Sequence, residues 1–256
     1  MSHIEPHELE KKIRYIKKYT NTPICIDTEG AQIRSKIRKQ KYLKKNSKFV
    51  ISKTKNNNSL SLYPEDVFEK LKTNDILSIG FDNLLVELIK KNKDQYLAKV
   101  IRSGKLQNNK GVHIENRKFN INYITQKDLK AIKIAKKNDI RFFALSFTNT
   151  SQDVEKFNKI LDKRSFKIFK IETKLAIKNF YKIIKNADNF LIDRGDLSKD
   201  ITVVQIPKIQ RKLMKIKKNF KNKKIFIATN LLESMIENNY PTRGEANDIY
   251  SSLEMG

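Results

Sequence analysis

The second half of the chain alternates short apolar runs with amphipathic stretches. The apolar runs predict buried strands at residues 141–147, 166–172, 190–193 and 224–229. Apolar residues at helical spacing predict helices after these strands, at residues 152–161, 175–184, 206–220 and 231–237. Strands that alternate with helices of this length form parallel βαβ units, so the pattern predicts an α/β fold.

The first half has a different pattern. An amphipathic helix is predicted at residues 8–19, and a buried strand at residues 24–27 includes Cys25 as a core residue. A Lys- and Asn-rich stretch follows, with short β-like segments at residues 49–52, 76–79, 84–89 and 96–101. Helical alternation resumes at Thr125, whose hydroxyl suits an N-cap. Residues 35–119 are therefore predicted to form a small β domain, inserted into an α/β domain of residues 1–34 and 120–256.

Polar side chains follow the predicted strands at the points where they end. Lys170 lies in an otherwise apolar strand, where an unpaired charge is costly, and Glu172 lies two residues further on the same face. Asp193 ends the next strand, Asp196 follows it, and Thr229 ends the last strand. In a (β/α) barrel the active site lies at this rim. The alternatives without a function are an ordinary ion pair of Lys170 with Glu172, and Asp196 as the N-cap of the next helix.

The charge of the chain bears on its partners. There are 54 Lys and Arg against 28 Asp and Glu, a formal net charge of +26, which taken alone favours a nucleic-acid partner. The lysines are scattered over most helices and loops, and there is no tryptophan and no recognition-helix, RNP or zinc-finger signature. The charge is therefore interpreted as a general preference for Lys, Asn and Ile, and a nucleic-acid partner is disfavoured.

The sequence also bears on location. No apolar run reaches the roughly 20 residues of a membrane span, so no membrane association is expected. The first residues lack the apolar stretch of a signal peptide, and Cys25 is the single cysteine. A cytoplasmic location is therefore expected.

Six segments resemble pyruvate kinase in collinear order over nearly the whole chain. They are PICIDTEGAQIRS (23–35), KGVHIEN (110–116), FALSF (143–147), FKIFKIET (166–173), LIDRGDLS (191–198) and IFIATNLLESMIENNYPTRGEANDI (225–249). The resemblance implies part of a TIM-type (β/α)8 barrel with an inserted small β-barrel lid domain. It includes five of the eight barrel strands and neither end of the family's pattern, so the chain is expected to be a fragment of a longer enzyme.

The resemblance also implies a chemistry. The family transfers a phosphoryl group from phosphoenolpyruvate to ADP, giving pyruvate and ATP in glycolysis. Lys170 would stabilise the transferring phosphoryl group, and Thr229 would lie near the enolate carbon, in the region implicated in its protonation. Glu172 and Asp196 would hold Mg²⁺ or Mn²⁺. The backbone N–H groups of Gly195 and Asp196 would receive the substrate carboxylate.

Further residues are implied at the nucleotide and at a second cation. Arg34 and Lys110 would contact the nucleotide phosphates, and Ser2, Asp27 and Thr28 would form a K⁺ site. The implied partners are phosphoenolpyruvate or pyruvate and ADP or ATP. Because the family forms tetramers, a homo-oligomer is expected for the full-length protein.

Several residues depart from the family's motifs. Glu29 replaces a lysine, and Gln32 replaces an acid that is linked to potassium dependence. A basic pair is replaced by Thr148 and Asn149, and Asp193 stands where the motif has alanine. These changes affect cation choice and phosphate binding. The alternatives are therefore a divergent or inactive pyruvate kinase-like protein, metal-dependent enolate chemistry such as that of a pyruvate aldolase, and a non-enzymatic basic nucleic-acid-binding protein.

Overall fold

The structure, a computed structural model, describes residues 1, 4–30, 32–54, 59–80, 84–117, 119 and 121–255. The chain divides into two compact units, an α/β unit of Met1–Ala31 and Tyr123–Gly256 and a β unit of Gln32–Asn122. The first boundary lies earlier than the one after residue 34 that the sequence predicts, because the strand Ile33–Lys36 pairs within the β unit. The second lies after residue 122 rather than 119.

The elements follow one another along the chain, with two short 3-10 helices at Val203–Gln205 and Glu233–Ile236. In chain order they are α1 (Pro6–Tyr19), β1 (Cys25–Asp27), β2 (Ile33–Lys36), β3 (Lys41–Leu43), β4 (Lys48–Ser52), β5 (Ser61–Tyr63), α2 (Val67–Lys70), β6 (Ile76–Ile79), β7 (Leu84–Asn92), β8 (Gln95–Arg102), β9 (Gly104–Leu106), β10 (Gly111–Ile114), α3 (Gln126–Lys137), β11 (Phe142–Leu145), α4 (Ser151–Ile160), β12 (Phe166–Ile171), α5 (Lys174–Ile184), β13 (Asn189–Asp193), α6 (Arg194–Asp200), α7 (Ile206–Lys217), β14 (Lys224–Ala228) and α8 (Arg243–Glu254).

A parallel five-stranded sheet organises the α/β unit. Its strand order is β1-β11-β12-β13-β14, so each strand lies beside the strand that precedes it in this unit, and helices connect them. This is the arrangement of successive strands in a (β/α) barrel. The predicted fold class, an α/β chain with part of such a barrel, is confirmed.

Alternation along the strands separates the core from the candidate site. Phe169 and Ile171 on β12 and Phe190 on β13 are buried in the core between sheet and helices. Phe180 of α5 meets Phe190 edge to face, with ring centroids 5.6 Å apart. Because successive side chains of a strand point to opposite faces, Lys170 lies on the other face of the sheet.

The β unit is an antiparallel sheet of seven strands in the order β4-β8-β7-β6-β10-β2-β5. A bridge between Ile51 and Leu60 joins its first strand to the residue before its last, so the sheet nearly closes into a barrel. Alternate residues of β7, Leu84, Val86 and Leu88, are fully buried inside it. β3 and β9 form a separate pair. The predicted small β barrel is confirmed as a fold.

Three local predictions differ from the structure. Residues 231–237 form a 3-10 turn, Glu233–Ile236, rather than an α-helix, and α7 ends at Lys217 rather than at residue 220. The prediction that Cys25 is a core residue is wrong. Ile26 takes the core side of β1, so the neighbouring Cys25 faces the opposite way and is exposed. Among the described residues, no helix is both long enough and apolar enough to cross a membrane.

Candidate active site

A buried lysine lies at the carboxyl-end rim of the parallel sheet. Lys170 is 8% exposed, and its Nζ lies 2.9 Å from Glu172 Oε1, 3.2 Å from Asp27 Oδ2 and 3.4 Å from Asp193 Oδ2. The three carboxyl groups come from the ends of β1, β12 and β13. An ordinary ion pair has one partner for each charge, whereas this ammonium is shared by three.

Burial and charge oppose each other in this cluster. Burial acts to lower the pKa of Lys170, but the carboxylates of Glu172, Asp27 and Asp193 together raise it above its ordinary value. The ammonium therefore stays protonated at neutral pH. Burial raises the pKa of Glu172 to about 7, against the opposing effects of Lys170 and of a backbone N–H. A further cation beside such a buried carboxylate would stabilise its charged form.

The backbone N–H that orients Glu172 belongs to Phe147. Phe147 has a φ of +54°, in the left-handed region that few residues other than glycine adopt. In this conformation its N–H donates a hydrogen bond of 2.5 Å to Glu172 Oε2. Backbone strain of this kind persists where surrounding structure fixes it, often at functional sites. The contact fixes the direction of the Glu172 carboxylate.

Asp193 is the N-cap of the short helix α6. Its backbone is extended, with φ −87° and ψ 100°, and its side chain accepts the N–H of Asp196 at 3.4 Å. The interpretation of Asp196 as the cap is therefore wrong, because Asp196 lies in the first turn and donates its N–H to the true cap.

Three carboxyl groups lie close enough to share one cation. Oxygens of Glu172, Asp193 and Asp196 all lie within 4.8 Å of one another. Carboxylate oxygens are the ligands that Mg²⁺ and Mn²⁺ prefer. The structure thus brings together Glu172 and Asp196, which the sequence singled out, and adds Asp193 to them.

The turn after β14 completes the rim. Thr229 and Asn230 both have left-handed backbones, with φ of +70° and +55°. The buried guanidinium of Arg194 donates to the carbonyl oxygens of both residues at 2.8–3.1 Å, and to Asp248 Oδ2 at 2.6 Å. The N–H of Gly195 donates to Thr229 Oγ1 at 2.7 Å. A Cβ on Gly195 would lie 3.3 Å from that oxygen, so the close approach favours glycine.

Sequence reasoning missed the role of Arg194 in positioning this turn. The carbonyl oxygens that accept from Arg194 lie 35 and 36 residues away. Because every residue has a backbone carbonyl, the identity of the accepting residues gives no signal in the sequence. The acid that pairs with Arg194, Asp248, lies on α8, and nothing in the last motif distinguishes it from its neighbours. The one available signal was an arginine at the end of an apolar strand, where it needs several acceptors if it is buried.

The residues predicted for a monovalent cation are only partly described. Ser2 lies outside the described residues. Asp27 binds Lys170 through Oδ2 and accepts the Ser146 hydroxyl through Oδ1 at 3.0 Å. Thr28 is 3% exposed, and its Oγ1 accepts the Ser146 N–H at 3.0 Å. Asp27 and Thr28 are thus held together by Ser146, and Asp27 also belongs to the lysine cluster.

The two predicted nucleotide contacts belong to the β unit. Arg34 lies on β2 and pairs with Gly111 of β10, and Lys110 immediately precedes that strand. Arg34 Nη1 donates to the carbonyl of Asn109 at 3.2 Å, and the Lys110 N–H donates to Ser35 Oγ at 2.9 Å. The structure brings Arg34 and Lys110 together within this unit, both of them half-buried.

Comparison with known proteins gives a consistent result. The family model "Pyruvate kinase, barrel domain" matches residues 2–255. The chain is 31% identical to the pyruvate kinase of Thermotoga maritima, 30% to that of Clostridium perfringens and 30% to that of Methanocaldococcus jannaschii. These alignments include 98%, 98% and 100% of this chain, and 57%, 55% and 56% of the respective relatives. The chain therefore spans about half the length of the curated relatives it matches.

Proposed function

The chain belongs to the pyruvate kinase family, and on that premise we propose that it acts in phosphoryl transfer from phosphoenolpyruvate to ADP, giving pyruvate and ATP. The observation that carries the proposal is the buried, protonated Lys170 at the carboxyl-end rim, with carboxyl groups from three strands around it. A fixed positive charge in a site of this kind stabilises negative charge that develops during the reaction. Lys170 would act in this way on the transferring phosphoryl group.

The charge balance of the rim supports a divalent cation. Asp27, Glu172 and Asp193 surround a single lysine, and Asp196 lies beside Glu172 and Asp193, so an anionic phosphate would meet net negative charge without a further cation. The close approach of three carboxylates suits Mg²⁺ or Mn²⁺, with Glu172 and Asp196 as the principal ligands. When bound, the ion would supply charge neutralisation and orient the phosphate oxygens.

The remaining roles follow the matched motifs. The N–H groups of Gly195 and Asp196 would receive the substrate carboxylate, and Thr229 would contribute to protonation of the enolate. In the β unit, Arg34 and Lys110 would bind nucleotide phosphates.

The proposal extends to the cation site and the assembly. A K⁺ ion at Ser2, Asp27 and Thr28 would share the Asp27 carboxylate with the Lys170 ammonium. The setting we propose is glycolysis in the cytoplasm, with a homo-oligomer for the full-length protein.

Lys170→Met tests the central role. We expect pyruvate formation to fall by about 10²- to 10³-fold, the usual effect of removing one preorganised electrostatic contact. Mg²⁺ affinity should stay the same or rise, because the substitution removes a positive charge beside the ligands. Coupled pyruvate production and Mg²⁺ titration measure the two effects.

Lys167→Met is the matched control. Lys167 lies on the same strand, three residues away and on the opposite face, so its loss should leave both quantities unchanged. Pyruvate formation by Lys170→Met equal to that of Lys167→Met would remove the basis of the proposal. So would the absence of Mg²⁺-dependent transfer by the unsubstituted full-length protein, in which both variants are made because the chain spans about half the length of its relatives.

A further inference from the structure

A closed hydrogen-bond network joins the polar groups between β13 and β14. The Gly195 N–H donates to the Thr229 hydroxyl at 2.7 Å, and that hydroxyl lies 3.2 Å from Asp193 Oδ1 and 2.6 Å from the carbonyl of Ala228. The Asp196 N–H also points at Asp193 Oδ1, at 3.4 Å. Asp193 Oδ1 therefore accepts one of the two N–H groups that the proposed function assigns to the substrate, and the Thr229 hydroxyl accepts the other.

The second oxygen of Asp193 faces the lysine. Asp193 Oδ2 lies 3.4 Å from Lys170 Nζ, and the Asp193 side chain is 13% exposed. Asp193 thus makes two kinds of contact that a bound carboxylate would make at this rim, one with N–H and O–H donors and one with the ammonium. The matched motif has alanine here, a side chain that can make neither contact.

We propose that Asp193 is a specificity-determining residue, whose carboxylate occupies the place of a substrate carboxylate and so lowers the preference of the site for carboxylate-bearing phosphate compounds. The inference rests on the proposed function. A substrate carboxylate must displace Asp193 from the Asp196 N–H and must also approach a like charge. A ligand that offers a phosphate alone meets no such competition.

The experiment compares two anions in the presence of Mg²⁺. Phosphoenolpyruvate carries a phosphate and a carboxylate, whereas inorganic phosphate lacks the carboxylate, so a change in the ratio of their Kd values between variants reports how the substitution affects binding of the carboxylate. Mg²⁺ is held at a saturating concentration for each variant, because Asp193 also belongs to the carboxylate cluster that would hold the cation. We expect the unsubstituted chain to bind the two anions with similar affinity.

Asp193→Ala should raise the preference for phosphoenolpyruvate by about ten- to a hundredfold, the equivalent of one charge-assisted hydrogen bond. Asp193→Asn keeps an acceptor for the Asp196 N–H but removes the charge, so it should give a smaller rise. Asp200→Ala is the control: it removes a carboxylate of the same helix that accepts the Lys174 N–H, and the ratio should not change.

Two results would overturn the proposal. One is a ratio in Asp193→Ala that equals or falls below that of the unsubstituted chain, which would make Asp193 a helix cap only. The other is failure of Asp193→Ala to bind either anion although it binds Mg²⁺. The proposed function fails in a different way. Asp193→Ala would then gain preference for phosphoenolpyruvate, yet no variant would transfer the phosphoryl group to ADP.

Discussion

Replacing Asp128 by alanine should destabilise the α/β unit far more than a typical loss of a helix-capping residue. Asp128 is fully buried, and its carboxylate accepts four hydrogen bonds. Oδ1 accepts the Glu29 N–H at 2.7 Å, and Oδ2 accepts the Gly30 N–H at 3.1 Å. Oδ2 also accepts the N–H and the hydroxyl of Thr125 at 3.1 and 2.9 Å. The side chain thus joins the start of α3 to a turn almost a hundred residues earlier.

The magnitude follows from these contacts. Hydrogen bonds to a charged group contribute about 1.5–3 kcal/mol each, and a buried donor left without an acceptor costs about 1–3 kcal/mol. Because the four bonds share one carboxylate, their contributions are not additive. We expect Asp128→Ala to lower the free energy of unfolding by roughly 3–5 kcal/mol, the range for breaking a buried charged network.

Asp153→Ala is a matched control. Asp153 occupies the same position in the capping box of α4, but it is half-buried, and among the described residues its carboxylate accepts the N–H groups of Asn149 and Thr150 and no other. Its loss should cost about 1–2 kcal/mol, as for other capping residues. Both variants keep the backbone N–H that the threonine hydroxyl accepts.

Urea unfolding followed by circular dichroism at 222 nm measures the difference, since nearly all the helix lies in the α/β unit. With a slope of about 1–3 kcal/mol per molar urea, a difference of roughly 2–3 kcal/mol should place the midpoint for Asp128→Ala about 0.7–3 molar below that of Asp153→Ala. An equal cost for the two variants would refute the reasoning, because it would mean that the long-range bonds of Asp128 contribute nothing.

Three further predictions concern stability. Gly30→Ala should lower the free energy of unfolding by about 1–3 kcal/mol, because Gly30 has a φ of +67° and the added Cβ would lie 2.6 Å from the carbonyl oxygen of Ser146. The urea midpoint measures this loss, and an unchanged midpoint would contradict the geometry. Arg117→Lys should lower the stability of the β unit by about 1–3 kcal/mol, because Arg117 binds the buried Asp75 through two nitrogens at 2.6 and 2.7 Å. Thermal unfolding followed by tyrosine fluorescence should show a lower Tm for the variant. An unchanged Tm would contradict this prediction. Hydrogen bonds from Ser234 and Thr242 lower the pKa of Glu245 to about 2, so the stabilisation they give is present above the ordinary pKa of a glutamate and is lost as the pH falls towards 2. Glu245→Gln should remove this part of the dependence of stability on acid pH. Identical acid unfolding titrations of the two proteins would contradict the prediction.

The sequence predicted those elements that depend on local pattern. Strands such as β6 and β12 are apolar runs bounded by polar turns, and the hydroxyl of Thr125 caps α3 as predicted. The pairing of Lys170 with Glu172 also follows from local spacing, because residues two apart on a strand share a face.

Features that depend on distant partners could not be predicted in this way. The left-handed backbone of Thr229 is held by Arg194, 35 residues earlier, whereas a β-branched residue at that point favours a continued strand. The choice between Asp193 and Asp196 as the cap of α6 depends on the backbone angles where β13 ends. Two aspartates three residues apart give no local signal that distinguishes them.

The four hydrogen bonds to Asp128 bear on how the inserted β unit is attached to the α/β unit. The N–H groups of Gly30 and Thr125 donate to the same oxygen, so the points where the chain leaves and re-enters the α/β unit are within two hydrogen-bond lengths of each other. The entropy of closing the intervening loop grows only slowly with its length. The α/β unit should therefore tolerate inserted segments of different lengths between these points, and a turn of a few polar residues should replace the whole β unit without unfolding the rest. Because both ends of the inserted segment are held by one side chain, a change in the length of that segment should have little effect on the stability of the α/β unit.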